Sequence, residues 1–321
     1  MSAQRPLITA SAVVAAVLIG AVIAVQPRVN GQLALELDDG FVAALISFGV
    51  GTLALGAALL VWSPGRRGFG KVRAALTDRT MSPWFLAGGL AGAVLVLSQG
   101  LTAAALGVAL FTVALVGGQS IGSLLIDRIG VGTMAPKPFT VQRVVGALLA
   151  ICAVGWAVSD RLHGDVPWWM LVMPLLAGIG TGWQQAVNGQ LREFSGSVLT
   201  ASFVSFLGGT IALAVAAGVH IAIVGAPEPL PSDPWLYVGG LLGVVFIAGS
   251  AALVRTTGVL LFGLATIAGQ LTSAVLLDIF APVSDAGVAF PTIGGAALAI
   301  VAVCVATIRP RRARGVDRIR G

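Results

Sequence analysis

The sequence predicts an all-α, polytopic membrane protein of ten transmembrane helices, built as two inverted repeats of five. Three observations lead there. Hydrophobic residues make up 57% of the 321 positions and charged residues 10%. The apolar residues fall into ten runs of near-membrane length. Whole stretches of the first half recur in the second.

Composition comes first because it sets the solvent. Soluble domains carry about 25% charge, and mean hydropathy here is +0.98. No single water-soluble core hides so much apolar surface, whereas a lipid-facing surface is properly apolar. The net charge of +6 comes from 17 Arg and 2 Lys against 13 acidic residues. These cations sit in the gaps between apolar runs and form no continuous patch, which excludes a nucleic-acid partner and suits lipid headgroups. Cys152 and Cys304 lie inside apolar runs and read as small buried side chains. With His163 and His220 in expected loops, no metal site or other cofactor is predicted.

The ten runs are 7–27, 41–62, 84–104, 107–127, 142–158, 168–188, 198–220, 235–254, 258–278 and 290–308. Joins near 105 and 256 are a few residues long and predict tight hairpins. The first run exceeds a typical signal h-region and leads into a repeated motif, so it is expected to belong to the fold. With a cytoplasmic N-terminus, 17 Lys and Arg fall inside and only Arg28 and Arg161 outside. That asymmetry predicts a multi-pass inner (plasma) membrane protein with both termini in the cytoplasm.

The repeat is read at two offsets. Gln26-Pro-Arg-Val-Asn-Gly-Gln-Leu33 returns as Gln184-Gln-Ala-Val-Asn-Gly-Gln-Leu191, followed by Ser47-Phe48 against Ser205-Phe206 and Gly51-Thr52 against Gly209-Thr210. Between 26–55 and 184–213, 13 of 30 positions are identical. Pro83-Trp84, Gly88, Gly89, Gly92, Gly118-Gln119 and Asp127 then match Pro234-Trp235, Gly239, Gly240, Gly243, Gly269-Gln270 and Asp278. Between 83–127 and 234–278, 16 of 45 positions are identical. Residues 1–160 form the first unit, 161–308 the second and 309–321 a basic cytoplasmic tail. Five spans per unit, an odd number, insert the second unit upside down, the plan of many secondary transporters.

These motifs resemble the drug/metabolite transporter superfamily, and the Asn-Gly-Gln-Leu element with its second copy resembles the YdcZ-like branch of inner-membrane exporters. The resemblance implies a ten-helix bundle that exports a small metabolite or toxic compound. Small multidrug relatives carry a proton-coupling glutamate in their first helix. No carboxylate lies between residues 1 and 35 here, so that route is not implied.

Polar side chains at membrane depth are costly and mark candidate sites. Gln26 and Asn30 share a helix face, as do Gln184 and Asn188. They and Gln32, Gln99, Gln119, Gln185, Gln190 and Gln270 are the candidate substrate-binding residues. Pro27 and Gly31 are expected to weaken the first helix and free backbone carbonyls. The alternative is that the amides join helices through hydrogen bonds. Asp127 and Asp278 are candidate coupling or gating groups, or ordinary headgroup-level charges. Arg28 is expected to pair with Glu36, Asp38 or Asp39. Matched GxxxG spacings at Gly88/Gly92, Gly239/Gly243 and Gly178/Gly182 predict close helix packing, and leave a homodimer open. No phosphate loop and no catalytic constellation occurs, so an ATP-driven pump and an enzyme are not expected. The function predicted is a secondary active transporter, an exporter working by alternating access on a small-molecule substrate. A non-transporting scaffold or regulatory subunit is the alternative.

Overall fold

The computed structural model describes residues 4–131, 136, 139–159, 167–281 and 289–307, with backbone alone at 4–9, 250, 251, 254–261 and 307. All regular structure in it is helical. The helices are α1 (Gln4–Leu37), α2 (Gly40–Val61), α3 (Ser63–Thr77), α4 (Gly88–Leu106), α5 (Val108–Ile129), α6 (Val141–Val158), α7 (Trp168–Ser195), α8 (Val198–Val224), α9 (Gly239–Phe280) and α10 (Phe290–Thr307). Short 3₁₀ turns at Pro83–Ala87 and Pro234–Tyr237 lead into α4 and α9. Proline suits both starts, since a helix's first N–H groups have no partner to lose.

Among the described residues, seven helical stretches are long and apolar enough to cross a membrane, and Gly239–Gly249 and Phe290–Ala306 are shorter apolar ones. The expected run at 168–188 is part of α7, which is 28 residues long. It is not one of the seven; Gln184, Gln185, Asn188 and Gln190 all lie on it.

Three expectations are corrected. α1 and α7 continue past their expected ends to Leu37 and Ser195, and α1 passes through Pro27 and Gly31 as one helix. A proline is tolerated there because neighbouring helices shield the disturbed turn. Residues 63–77, expected to be a connecting segment, form α3. Its face of Gly65, Gly68 and Val72 is buried while Arg66, Arg67 and Arg73 are outward. Thr200 donates to Gly65 O at 2.6 Å and fixes α3 against α8. Finally, no non-helical residue marks the expected join near 256.

The path through α9 nonetheless folds back. Straight, its 42 residues would span about 63 Å. Yet Gly239, at its start, lies against Asn30, and Ala281, just past its end, accepts a hydrogen bond from Arg28. In between, Gly249 meets Ile19 and Gly269 meets Val17. The chain therefore descends and returns along α1 between Gly249 and Gly269. At the matching place in the first half, α4 and α5 are separated by the single residue Gly107, at φ +82°. This left-handed backbone is one that glycine adopts without strain.

The helix packing is made twice, with the halves exchanged. A Cβ on Gly89 would overlap Ser205 O, and one on Gly240 would overlap Ser47 O. Gly118 and Gly178 bring α5 and α7 into backbone contact; Gly269 and Gly20 do the same for α9 and α1. Gly146 meets Ala302 and Ala306 of α10, while Gly295 meets Ala153 and Ala157 of α6. Lipid gives helices no hydrophobic reason to associate, so close backbone approach is what holds them. Where the two sets meet, the Phe48 and Phe206 rings stack at 4.8 Å and 17°. The Thr52 and Thr210 hydroxyls lie 2.7 Å apart nearby.

The ends of the bundle follow from α2. Its start at Gly40 packs on Gly100, beside the end of α1, and it leads into α3, beside the end of α7. Its 22 residues reach about 33 Å, so the C-terminal ends of α1 and α7 lie at opposite ends of the bundle. Trp62, Trp84, Trp168 and Trp235 are exposed near helix ends, as interfacial anchors are. Cys152 and Cys304 correct a further expectation: both lie on outward faces. In a bilayer an apolar side chain has no need of the interior. His163, Arg161, Lys137, the boundary at 160/161 and the basic tail lie outside the described residues, as do the side chains of Arg5, Ser250 and Arg255.

Asp39 begins α2 as its N-cap, accepting from the N–H groups of Phe41 and Val42 at 2.8 and 3.0 Å. Asp39→Ala is expected to cost about 1 kcal/mol, read as a lower midpoint in thermal unfolding of the detergent-solubilised protein.

Candidate functional site

The repeated Asn-Gly element builds one polar cluster in each half. On α1, Asn30 is fully buried and its Nδ2 donates to Gln99 Oε1 at 2.6 Å. Its Oδ1 has no partner, and neither does Ser47 Oγ beside it. Both atoms face Gly239 at the start of α9, where a side chain would displace the Asn30 amide. On α7, Asn188 stands in the same relation to α4. Its Oδ1 also lacks a partner and lies 2.8 Å from where a Cβ on Gly88 would sit. Buried polar atoms left unpaired cost about 1–3 kcal/mol each, so the two clusters together carry three uncompensated oxygens, on α1, α2 and α7.

The glutamines one turn earlier connect the clusters. Gln184 Nε2 donates to Ser205 Oγ at 3.4 Å, and Phe48 lies close by, against Gly92. Gln26, buried, lies against Gly243 together with Phe206. The sequence Gln26, Phe206, Phe48, Gln184 thus crosses the meeting of the halves, with the stacked rings between two amides. Sequence reasoning gave Ser47, Ser205, Phe48 and Phe206 no role. The signal was present, since all four belong to the recurring Ser-Phe pair.

Other candidates do not join. Gln32 donates to Glu36 Oε1 at 3.1 Å, an exposed pair along α1. Gln190 is buried and Gln185 exposed on α7. Gln119 sits on α5 against α7, and Gln270 on α9 against α1. Neither amide has a hydrogen-bond partner among the described residues.

The two aspartates differ. Asp278 accepts from the N–H groups of Val108 and Ala109 at 2.9 and 2.7 Å, capping α5 just after Gly107. Asp127 pairs with Arg143 of α6, where its neighbour Arg128 had been the sequence-adjacent cation. Arg28 is also corrected: it donates to Ala281 O. Its expected acidic partners are engaged locally, Glu36 with Gln32 and Asp39 with the start of α2. Among the described residues no group of three His, Cys, Asp or Glu could hold a metal ion.

At the far end of α7, Gly189, Arg192, Glu193 and Gly196 line an open depression.

One family model, described as "Putative inner membrane exporter, YdcZ", matches residues 11–156 and 168–305, a stretch in each half. The chain belongs to the YdcZ family of inner-membrane exporters. Membership and the apolar helices together make it a multi-pass inner-membrane protein of a transporter family. The YdcZ-family chain shares its fold with a solved structure described as a crystal structure of protein, at TM-score 0.53 and 18% identity, over 93% of this chain and 96% of that one. No curated protein matches it.

Proposed function

We propose that the chain is a secondary active transporter that exports a small metabolite or drug-like compound by alternating access. In this reading it crosses the membrane ten times as two inverted five-helix units, with both termini in the cytoplasm. The reciprocal packing carries the reading: Gly89 on Ser205 and Gly240 on Ser47 are one contact made twice with the halves exchanged. Two units of one design in opposite orientations can trade conformations, which opens a shared site to each side in turn. The unpaired oxygens of Asn30, Asn188 and Ser47 offer acceptors to a substrate that donates hydrogen bonds. Asp278, holding the start of α5 beside Gly107, suits a gate.

Purified protein in proteoliposomes is expected to move at least one compound from a panel of metabolites and drugs. Joint replacement Asn30→Ala and Asn188→Ala is expected to cut that flux roughly tenfold, the effect of about 1.4 kcal/mol. Folded protein that moves nothing across the panel overturns the reading. Intact association with a stoichiometric membrane partner in that same double variant points to a scaffold instead.

A further inference from the structure

α1 and α7 carry the same Gln-x-x-x-Asn-Gly element, yet the two copies stand in different surroundings. On α1 the face of Pro27, Gly31 and Ala34 is buried. Gly31 is so close to α4 that a Cβ there would lie 3.0 Å from Ala104 N and 3.4 Å from Ala103 Cβ. On α7 the matching positions, Gln185, Gly189 and Arg192, are exposed. A Cβ on Gly189 would meet nothing within 4 Å. Asn30 is fully buried while Asn188 is only half-buried. The glycines and asparagines are identical, while Pro27 and Ala34 of the covered copy are replaced by the polar Gln185 and Arg192 in the uncovered one. The contrast lies in how the neighbouring helices cover each copy.

We propose that the exposed face of α7 is the substrate-entry site, and that the contact of Gly31 with Ala103 and Ala104 seals the same path at the opposite end. The entry site follows one helix stripe at spacings of three and four, Gln185, Gly189, Arg192, Glu193 and Gly196. Gly189, Arg192, Glu193 and Gly196 line the depression. The two glycines let a solute approach the helix backbone. Arg192 and Glu193 put one charge of each sign at the mouth, with an amide just inside. This chemistry takes a small polar solute of no net charge, either uncharged or zwitterionic, and disfavours organic anions and cations. With the N-terminus in the cytoplasm the entry faces the cytoplasm, as export requires. The proposal rests on the transport reading.

The test uses full-length protein with Cys152 and Cys304 changed to Ala, carrying one new cysteine at a time. A hydrophilic maleimide is expected to label Gly189→Cys and Gln185→Cys roughly tenfold faster than Gly31→Cys, because thiol modification follows solvent access. Ala103→Cys, a milder change on the other side of the seal, is expected to be as slow as Gly31→Cys and serves if that variant does not fold. Equal labelling at the two ends overturns the proposal. Labelling needs no substrate, so it separates the two readings. Contrast in labelling with no flux for any solute removes transport and leaves the asymmetry. Flux with equal labelling removes the entry site and leaves transport. Flux confined to organic anions or cations overturns the substrate class.

Discussion

Replacing Gly89 or Gly240 with alanine is expected to destabilise the folded protein by about 3 kcal/mol in each case, the upper end for inserting one methyl group into a packed interface. The reason is what the methyl would meet. At Gly89 it overlaps the carbonyl oxygen of Ser205, and Gly209 N lies 2.6 Å away; at Gly240 it overlaps Ser47 O, with Gly51 N at 2.7 Å. These are main-chain atoms of helices α8 and α2, which cannot swing aside as a side chain can. Relief requires α4 to separate from α8, or α9 from α2. The measurement is thermal unfolding of the detergent-solubilised protein, with Gly49→Ala as control, since a Cβ at Gly49 meets nothing within 4 Å. Equal midpoints for Gly89→Ala, Gly240→Ala and Gly49→Ala contradict the packing.

Asp278→Ala is expected to cost about 2 kcal/mol, the upper end for a lost N-cap. Its carboxylate accepts from two N–H groups at the start of α5, and a helix's first N–H groups have no partner within the helix. The N-cap residue itself, Gly107, has no side chain with which to do so. The carboxylate also answers the positive end of the α5 dipole. Asp278→Asn keeps one acceptor oxygen and is expected to retain about half of the stability, separating capping from charge. Thermal unfolding of both variants reads the difference. If Asn is no better than Ala, the carboxylate acts through its charge alone.

The apolar spans and the recurring motifs were legible because the bilayer imposes both a length and a composition on each crossing. α3 was harder to see. Four Lys or Arg and three Gly among residues 63–77 read as a connecting loop, although Gly65, Gly68 and Val72 already mark one face at spacings of three and four. The outward placement of Cys152 and Cys304 was not legible at all. In a membrane protein, apolar positions face lipid and interior alike, so hydropathy loses its power to tell inside from outside. Periodicity put Gln26 and Asn30 on one face without saying what that face meets. Asn30 turned out to meet Gln99 and the start of α9. Arg28 misled because nearby acids invite a local pairing, whereas its partner, Ala281 O, is distant in sequence. The contrast between Gly31 and Gly189 was beyond reach, since identical letters carry no record of what covers them.

The stacked pair Phe48 and Phe206 and the bonded pair Thr52 and Thr210 have a consequence for evolution. At most positions the duplicated units can drift apart, because each copy answers to its own neighbours. Here each residue's neighbour is its own duplicate, so a larger ring at 48 requires a smaller one at 206, and a bulkier side chain at 52 crowds its copy at 210. Related sequences should therefore vary at these two pairs jointly, conserving total volume and polarity instead of the individual residue.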